Sequence, residues 1–210
     1  MPDVTPIVYV VDDDPEVLTA TERLLVSADY TVAAFQSPQH FLQHFSPAGA
    51  GCLVVDLAMP GLTGLDLQQV LADQGSPLRL VFLTGRGDVG SSVQAMKHGA
   101  VDFLTKPVND ADLLAAVHDA LKQSVSLQRA RREHSQVTGC LAALTARERQ
   151  VLEHIVAGRL NKQIAADLGT VEKTIKFHRG NLMKKMGARS VADLVRVAER
   201  AGVGRSLVPH

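Results

Sequence analysis

The sequence predicts a doubly wound α/β domain with a five-stranded parallel sheet, followed by an all-α domain of four short helices. Three observations lead there: five apolar runs of strand length within the first 107 residues, helix-like stretches between them, and no strand signal from Leu141 onward. The runs are IVYVV at 7–11, TVAAF at 31–35, CLVVDL at 52–57, LRLVFLT at 78–84 and VDFLTKP at 101–107. They are near-continuous and rich in Val and Leu, as strands covered on both faces of a parallel sheet should be.

Helix starts are marked by capping chemistry. Asp14-Pro15 and Ser37-Pro38 each read as an N-cap followed by a first helical position, and Asn109 with Asp112 three residues on reads as another start. The helix beginning near Asp110 carries Leu114, Val117, Leu121 and Val125 at helical spacing. Beyond Leu127 this period fades into QRARREHSQ, a charged linker for which a helix and a flexible tether both remain open. In the second half, Thr145-x-x-Glu148 and Ser190-x-x-Asp193 read as capping boxes, and Gly158, Gly169 and Gly187 as helix ends. Helices are therefore expected at about 145–157, 161–168, 171–186 and 191–201, and the domains at 1–125 and 141–210 with a linker over 126–140. The small, polar segment Gly90-Ser91-Ser92 predicts an unusually mobile fourth helix in the first domain.

Composition narrows the function classes. No apolar run approaches the ~20 residues that span a bilayer, so membrane insertion is not expected. The start, MPDVTPIV, has no basic region leading into a long apolar stretch, so a secretory signal is not expected either. Cys52 and Cys140 are scattered and lack metal-ligand spacing, which suits a reducing, cytoplasmic setting. The net charge of zero conceals an asymmetry. Residues 1–125 hold 15 acidic and 6 basic side chains, whereas residues 126–210 hold 7 and 16. An acidic domain joined to a basic one points to a polyanionic partner for the second half, and leaves open that the first masks the second.

In a doubly wound sheet the ligand site lies beyond the carboxyl ends of the strands. Those ends deliver Asp12, Asp13 and Asp14 from the first strand, Asp56 from the third, Thr84 from the fourth and Lys106-Pro107 from the fifth. Taken singly, each has a plain explanation: a helix cap, a turn, a surface charge. Together, converging carboxylates call for a hard divalent cation, and Mg²⁺ suits oxygen ligands of this kind. A hydroxyl and an ammonium beside such an ion could receive a phosphoryl group, because phosphoryl transfer needs mainly positioning and charge neutralisation.

The segments VVDDDP, VVDLAMPGLTGLDL and LTGRGDVGSSVQAMKHGAVDFLTKP together resemble the receiver domain of two-component response regulators over residues 5–125. The resemblance implies a flavodoxin-like sheet in the order 2-1-3-4-5. It also implies that Asp56 accepts a phosphoryl group from a sensor histidine kinase. Asp12, Asp13 and Asp56, with the backbone carbonyl of Ala58, would hold Mg²⁺. Thr84 and Lys106 would contact the phosphoryl oxygens, Phe103 would change rotamer on activation, and the bond before Pro107 would be cis.

The stretch NKQIAADLGTVEKTIKFHRGNLMKKM reads as helix, glycine-containing turn and helix, the arrangement that lays a second helix in the major groove of double-stranded DNA. On that helix Ile175, Leu182, Met183 and Met186 can form a buried face, leaving Lys173, Lys176, Arg179 and Lys184 for phosphates and base edges. LTARERQVLEHIVAGRLNKQIAADLG and VEKTIKFHRGNLMKKMGARSVADLV are similar to the LuxR-type helix-turn-helix of the NarL/FixJ class of regulators, over about residues 141–200. That resemblance implies base reading at or near Lys173, Lys176, Phe177 and Arg179, and phosphate contacts from Lys162, Thr174 and His178. The terminal helix would form a dimer contact. Gly180 departs from good helix chemistry.

The expected function is a response regulator, not an enzyme, in which phosphorylation of Asp56 controls homodimerisation and DNA binding, with RNA polymerase as a further partner. Two rivals stay in view. One is a phosphatase or phosphotransferase with an aspartate nucleophile, although Asp56 lies in DLAMP and not in an Asp-x-Asp motif. The other is a constitutive DNA-binding protein with a structural first domain. His40 and His44, four apart without a third ligand, are read as surface residues.

Overall fold

The computed structural model describes residues 5–47, 49–85, 93, 95–200 and 202–203. They fall into two compact units that divide between Arg129 and Ala130. The first contains β1 (Ile7–Val11), α1 (Pro15–Ser27), β2 (Thr31–Phe35), α2 (Pro38–His44), β3 (Gly51–Asp56), α3 (Gly64–Asp73), β4 (Arg79–Thr84), β5 (Asp102–Thr105) and the start of α4 (Asp110–Ala142). The strands form one sheet in the order β2-β1-β3-β4-β5, and each neighbouring pair is parallel. This is the expected doubly wound architecture.

Strand alternation explains why the apolar runs are uninterrupted. Tyr9, Val11, Leu53, Val55 and Phe82 face one side, against Phe35, Phe41 and Leu67. Their neighbours Val8, Val10, Cys52, Val54, Val81 and Leu83 face the other, against Leu18, Leu25, Leu113 and Val117. All six residues of β3, the central strand, are buried. The first four strands match the sequence reading to within a residue at each end. β5 is shorter than its apolar run because pairing ends at Thr84–Thr105, and Lys106 N–H then bonds to the Thr84 carbonyl at 2.7 Å. Pro107 has no N–H to continue the ladder. Gly90-Ser91-Ser92, expected to loosen the fourth helix, lies outside the described residues.

Residues 126–140 are helical throughout, within α4. Gln, Arg, Ala and Glu are good helix formers, and no proline interrupts them. Near the middle of this helix, buried Ser124 accepts a hydrogen bond from Gly51 N–H (2.9 Å) and donates one to the Pro77 carbonyl (2.8 Å). One hydroxyl thus fastens the helix to the start of β3 and the approach to β4. A side chain at Gly51 would bring its Cβ to 2.4 Å from the Ile7 carbonyl oxygen, which explains the glycine where β1 and β3 run together.

The second unit holds α5 (Ala146–Val156), α6 (Asn161–Asp167), α7 (Glu172–Lys185) and α8 (Val191–Arg200), within two residues of the expected spans. Its core joins Val151, Leu152 and Ile155 to Ile164, Ile175, Leu182, Met186, Leu194 and Ala198. The capping box at α5 forms as expected: Thr145 N–H donates to Glu148 Oε2 at 2.9 Å and Glu148 N–H to Thr145 Oγ1 at 3.2 Å. Glu148 also accepts from Lys185 Nζ at 2.7 Å, so the cap of α5 doubles as an anchor for the end of α7. At α8, Asp193 N–H donates to Ser190 Oγ, but the Asp193 carboxylate accepts from Arg189 N–H and not from Ser190, one residue before the expected partner.

Replacing Ser124 with alanine strands a buried N–H and a buried carbonyl. We expect a loss of roughly 2–3 kcal/mol in the unfolding free energy of the first unit, measured by urea titration. An unchanged midpoint would show that the hydroxyl is dispensable.

Candidate functional site

The ends of β1 and β3 meet at one ammonium group, carried just past the end of β5. Lys106 Nζ lies 2.6 Å from Asp12 Oδ2 and 2.6 Å from Asp56 Oδ1. Asp12 is 1% exposed, Asp56 6% and Thr84 3%. The remaining carboxylate oxygens are held by backbone: Asp12 Oδ1 accepts from Asp14 N–H at 3.0 Å, and Asp56 Oδ2 from Ala58 N–H at 2.8 Å.

The three consecutive aspartates divide the work. Asp12 points into the site, Asp13 is exposed beside it, and Asp14 caps α1 by accepting from Glu16 N–H at 2.9 Å. The plain reading as a helix cap therefore holds for Asp14 alone. Phe103 is half-buried with its ring 6.2 Å from that of Phe82, and the Lys106-Pro107 bond is cis. One residue missed by sequence reasoning is Gly64, where a Cβ would come within 2.6 Å of the Asp56 carbonyl oxygen and 3.0 Å of the Phe82 ring. The turn after Asp56 can close only over a glycine, and nothing in PGLTGLDL separates that glycine from an ordinary loop residue.

The electrostatics follow from burial. Removal from water holds the Asp12 carboxyl above the usual aspartate range, although the Lys106 ammonium and Asp14 N–H oppose the shift. For Lys106, burial alone would lower the value, but hydrogen bonds to Asp12 and Asp56 outweigh it and hold the ammonium above the ordinary lysine range. Asp12, Asp13 and Asp56 set against Lys106 leave a surplus of two negative charges, the charge of one divalent cation. Among the described residues no three acidic, histidine or cysteine side chains are gathered into a metal cage, and Lys106 spans Asp12 and Asp56 directly. Oxygen-only donors and the charge surplus fit Mg²⁺, with Asp13 and the Ala58 carbonyl at the exposed rim. His40 and His44 lie ring to ring at 4.6 Å, without a third ligand among the described residues.

In the second unit, α7 separates two faces. Ile175, Leu182 and Met186 are buried, while Lys173, Lys176 and Phe177 are exposed, Phe177 at 66%. Lys176 forms a 3.3 Å ion pair with Glu172 one turn back. Thr174 and His178 are half-buried at the flanks, and Lys162 is exposed on the first turn of α6. Arg179 does not share the exposed face. It is half-buried and donates through Nη1 to Asn161 Oδ1 at 2.7 Å, bracing α7 against the start of α6. Asn161 could not have been singled out from the sequence, because the bond depends on how the two helices cross. Both residues line a cleft of about 540 Å³ with Arg159, Lys162, Glu172 and the apolar Ile155, Leu160 and Val191.

Comparisons with known proteins divide along the same line. Residues 8–118 match the response regulator receiver domain family, and residues 142–198 match the LuxR family of bacterial regulatory proteins. The response regulator protein TmoT of Ectopseudomonas mendocina is 42% identical over 95% of this chain and 91% of its own length. The transcriptional regulatory protein FixJ of Azorhizobium caulinodans is 43% identical over 97% and 96%. Among solved structures, the response regulator StyR superposes with a TM-score of 0.88 at 41% identity, over 94% of this chain and all of that one.

Lys106→Met leaves two buried carboxylates without their cation. Without divalent metal at pH 7.5, the variant should lose about 3–5 kcal/mol of unfolding free energy. A carboxyl whose folded-state value is raised binds its proton more tightly when folded, so its stabilising protonation is lost as pH rises through that value. The deficit should therefore be smaller at pH 5 than at pH 7.5. A deficit independent of pH would assign it to lost packing.

Proposed function

Because the chain belongs to the response regulators that join a receiver domain to a LuxR-type DNA-binding domain, we propose that phosphorylation of Asp56 is the switch that controls its DNA binding. Transcription regulation within a two-component system is the function of this family. The particular assignment rests on one observation: the carboxylate of Asp56 is buried, oriented by Ala58 N–H, and paired with Lys106 at 2.6 Å.

In this reading residues 1–125 form the receiver, 126–140 the linker and 141–210 the DNA-binding domain, in a cytoplasmic protein. A sensor histidine kinase supplies phosphohistidine. An Asp56 carboxylate oxygen attacks phosphorus, the N–P bond breaks, and the kinase imidazole departs as the O–P bond forms. Lys106 already lies on Asp56 and neutralises the incoming phosphoryl oxygens, while the Thr84 hydroxyl takes another of them. Asp12, Asp13, Asp56 and the Ala58 carbonyl would hold Mg²⁺, which when bound supplies further charge neutralisation to the transferring group. Engagement of Thr84 draws on the end of β4, and Phe103, packed on Phe82 of that strand, changes rotamer in response. The altered surface favours a homodimer, which brings two copies of α7 to DNA half-sites about one helical turn apart. Lys173, Lys176 and Phe177 serve base reading, Arg179 braces α7 beside them through Asn161, Lys162, Thr174 and His178 meet phosphates, and RNA polymerase is the downstream partner.

The test is intact mass after incubation with Mg²⁺ and a small-molecule phosphodonor, beside Asp56→Asn. We expect one phosphoryl group on the parent, and none on the variant or on the parent without metal. An unlabelled parent, under conditions that label another receiver, would overturn the switch and favour a constitutive DNA-binding protein.

A further inference from the structure

Phe177 is an anomaly for a water-facing helix. Its ring is 66% exposed, although Ile175, two residues earlier, is completely buried. At 100° per residue, Lys173, Lys176, Phe177, Gly180 and Lys184 fall within an arc of about 100°, opposite the anchors Ile175, Leu182 and Met186. The ring therefore stands at one edge of a basic stripe, and along the axis between Lys173 and Lys184. Side chains on a helix lean toward its N-terminus, so a residue at 180 would cover the turn that carries Phe177. Position 180 is glycine, and a Cβ built there meets nothing within 4 Å. Glycine inside a helix is unfavourable, and no close packing of backbone requires it here. Its effect is to leave the Phe177 ring uncovered on that side.

We propose that Phe177 is a specificity-determining residue that reads the 5-methyl group of thymine, with Gly180 clearing its approach. The proposal rests on the reading of α7 as the helix that enters the major groove. In that groove the thymine methyl is the apolar group on a base edge, and a phenyl ring, which can neither donate nor accept a strong hydrogen bond, complements it. Apart from base-edge contacts of Lys173 and Lys176, the positive charge of the stripe attracts the duplex whatever its sequence, because phosphate charge carries no base information. Phe177 adds discrimination, preferring thymine to cytosine at one position of each half-site. The Lys176–Glu172 pair leaves one carboxylate beside the stripe, which disfavours phosphate close to the start of α7 and so favours groove contact further along.

The experiment selects duplexes from a random library with the full chain, treated with phosphodonor and Mg²⁺. Each thymine of the selected site is then replaced singly by deoxyuridine, which removes only the methyl. We expect at least one replacement per half-site to weaken binding roughly threefold to tenfold. The same replacement should leave Phe177→Ala within about twofold of its own affinity for the thymine site. Gly180→Leu, which restores cover over the ring, should blunt the methyl effect in the same way. A site in which no thymine methyl matters, or a methyl effect that persists in Phe177→Ala, would overturn the proposal. So would a Phe177→Ala chain that binds DNA like the parent but sediments differently, which would assign the ring to contact with a second copy. A library that yields no preferred sequence would refute sequence reading by α7 itself, and the role of Phe177 with it.

Discussion

The arrangement of the first unit turns on one ammonium group held between two buried carboxylates. Two carboxylates buried at the end of an apolar sheet need a cation within bonding distance to offset their lost hydration, and Lys106 meets both Asp12 and Asp56 at 2.6 Å. That demand reaches back into the fold. It requires β1, β3 and β5 to end at one level, with β4 between β3 and β5 so that the Thr84 carbonyl can receive Lys106 N–H. It also requires the backbone after Asp56 to turn sharply, which Gly64 permits and a Cβ would prevent.

The site is consequently poised and incomplete in its charge. One positive group serves three carboxylates, and a divalent ion would restore the balance. Burial amplifies such interactions, since removing Asp12 from water is what moves its titration upward.

Much of this was legible in the sequence, for a physical reason. Strands covered on both faces are near-continuously apolar, so IVYVV delimits β1 directly, and TVAAF marks the edge strand β2 although Thr31 is exposed. The end of β5 was less legible, because nothing in VDFLTKP before Pro107 marks Thr105 as the last paired residue. Converging strand ends showed which residues share the site but not how they divide it. Asp14, placed before Pro15, was legible as the cap of α1, but only the geometry puts Asp12 in the buried site and Asp13 at its exposed edge. In the second unit the caps and glycine stops located every helix, since those signals are local. The Arg179–Asn161 bond and the Glu148–Lys185 anchor were not legible, because each joins residues whose distance depends on helix crossing.

That last pair of contacts bears on how regulators of this kind diversify. The groups that set the attitude of α7, namely Ile175, Leu182, Met186, Arg179 and Lys185, occupy its inner and lateral sides, whereas Lys173, Lys176, Phe177 and Gly180 lie on the outer side with little structural duty. Substitutions on the outer side can accumulate without weakening the domain that displays them. After a gene duplication, two copies of this chain could part company in target preference through a handful of neutral surface changes, while the phosphorylation machinery and the scaffold of both stayed intact.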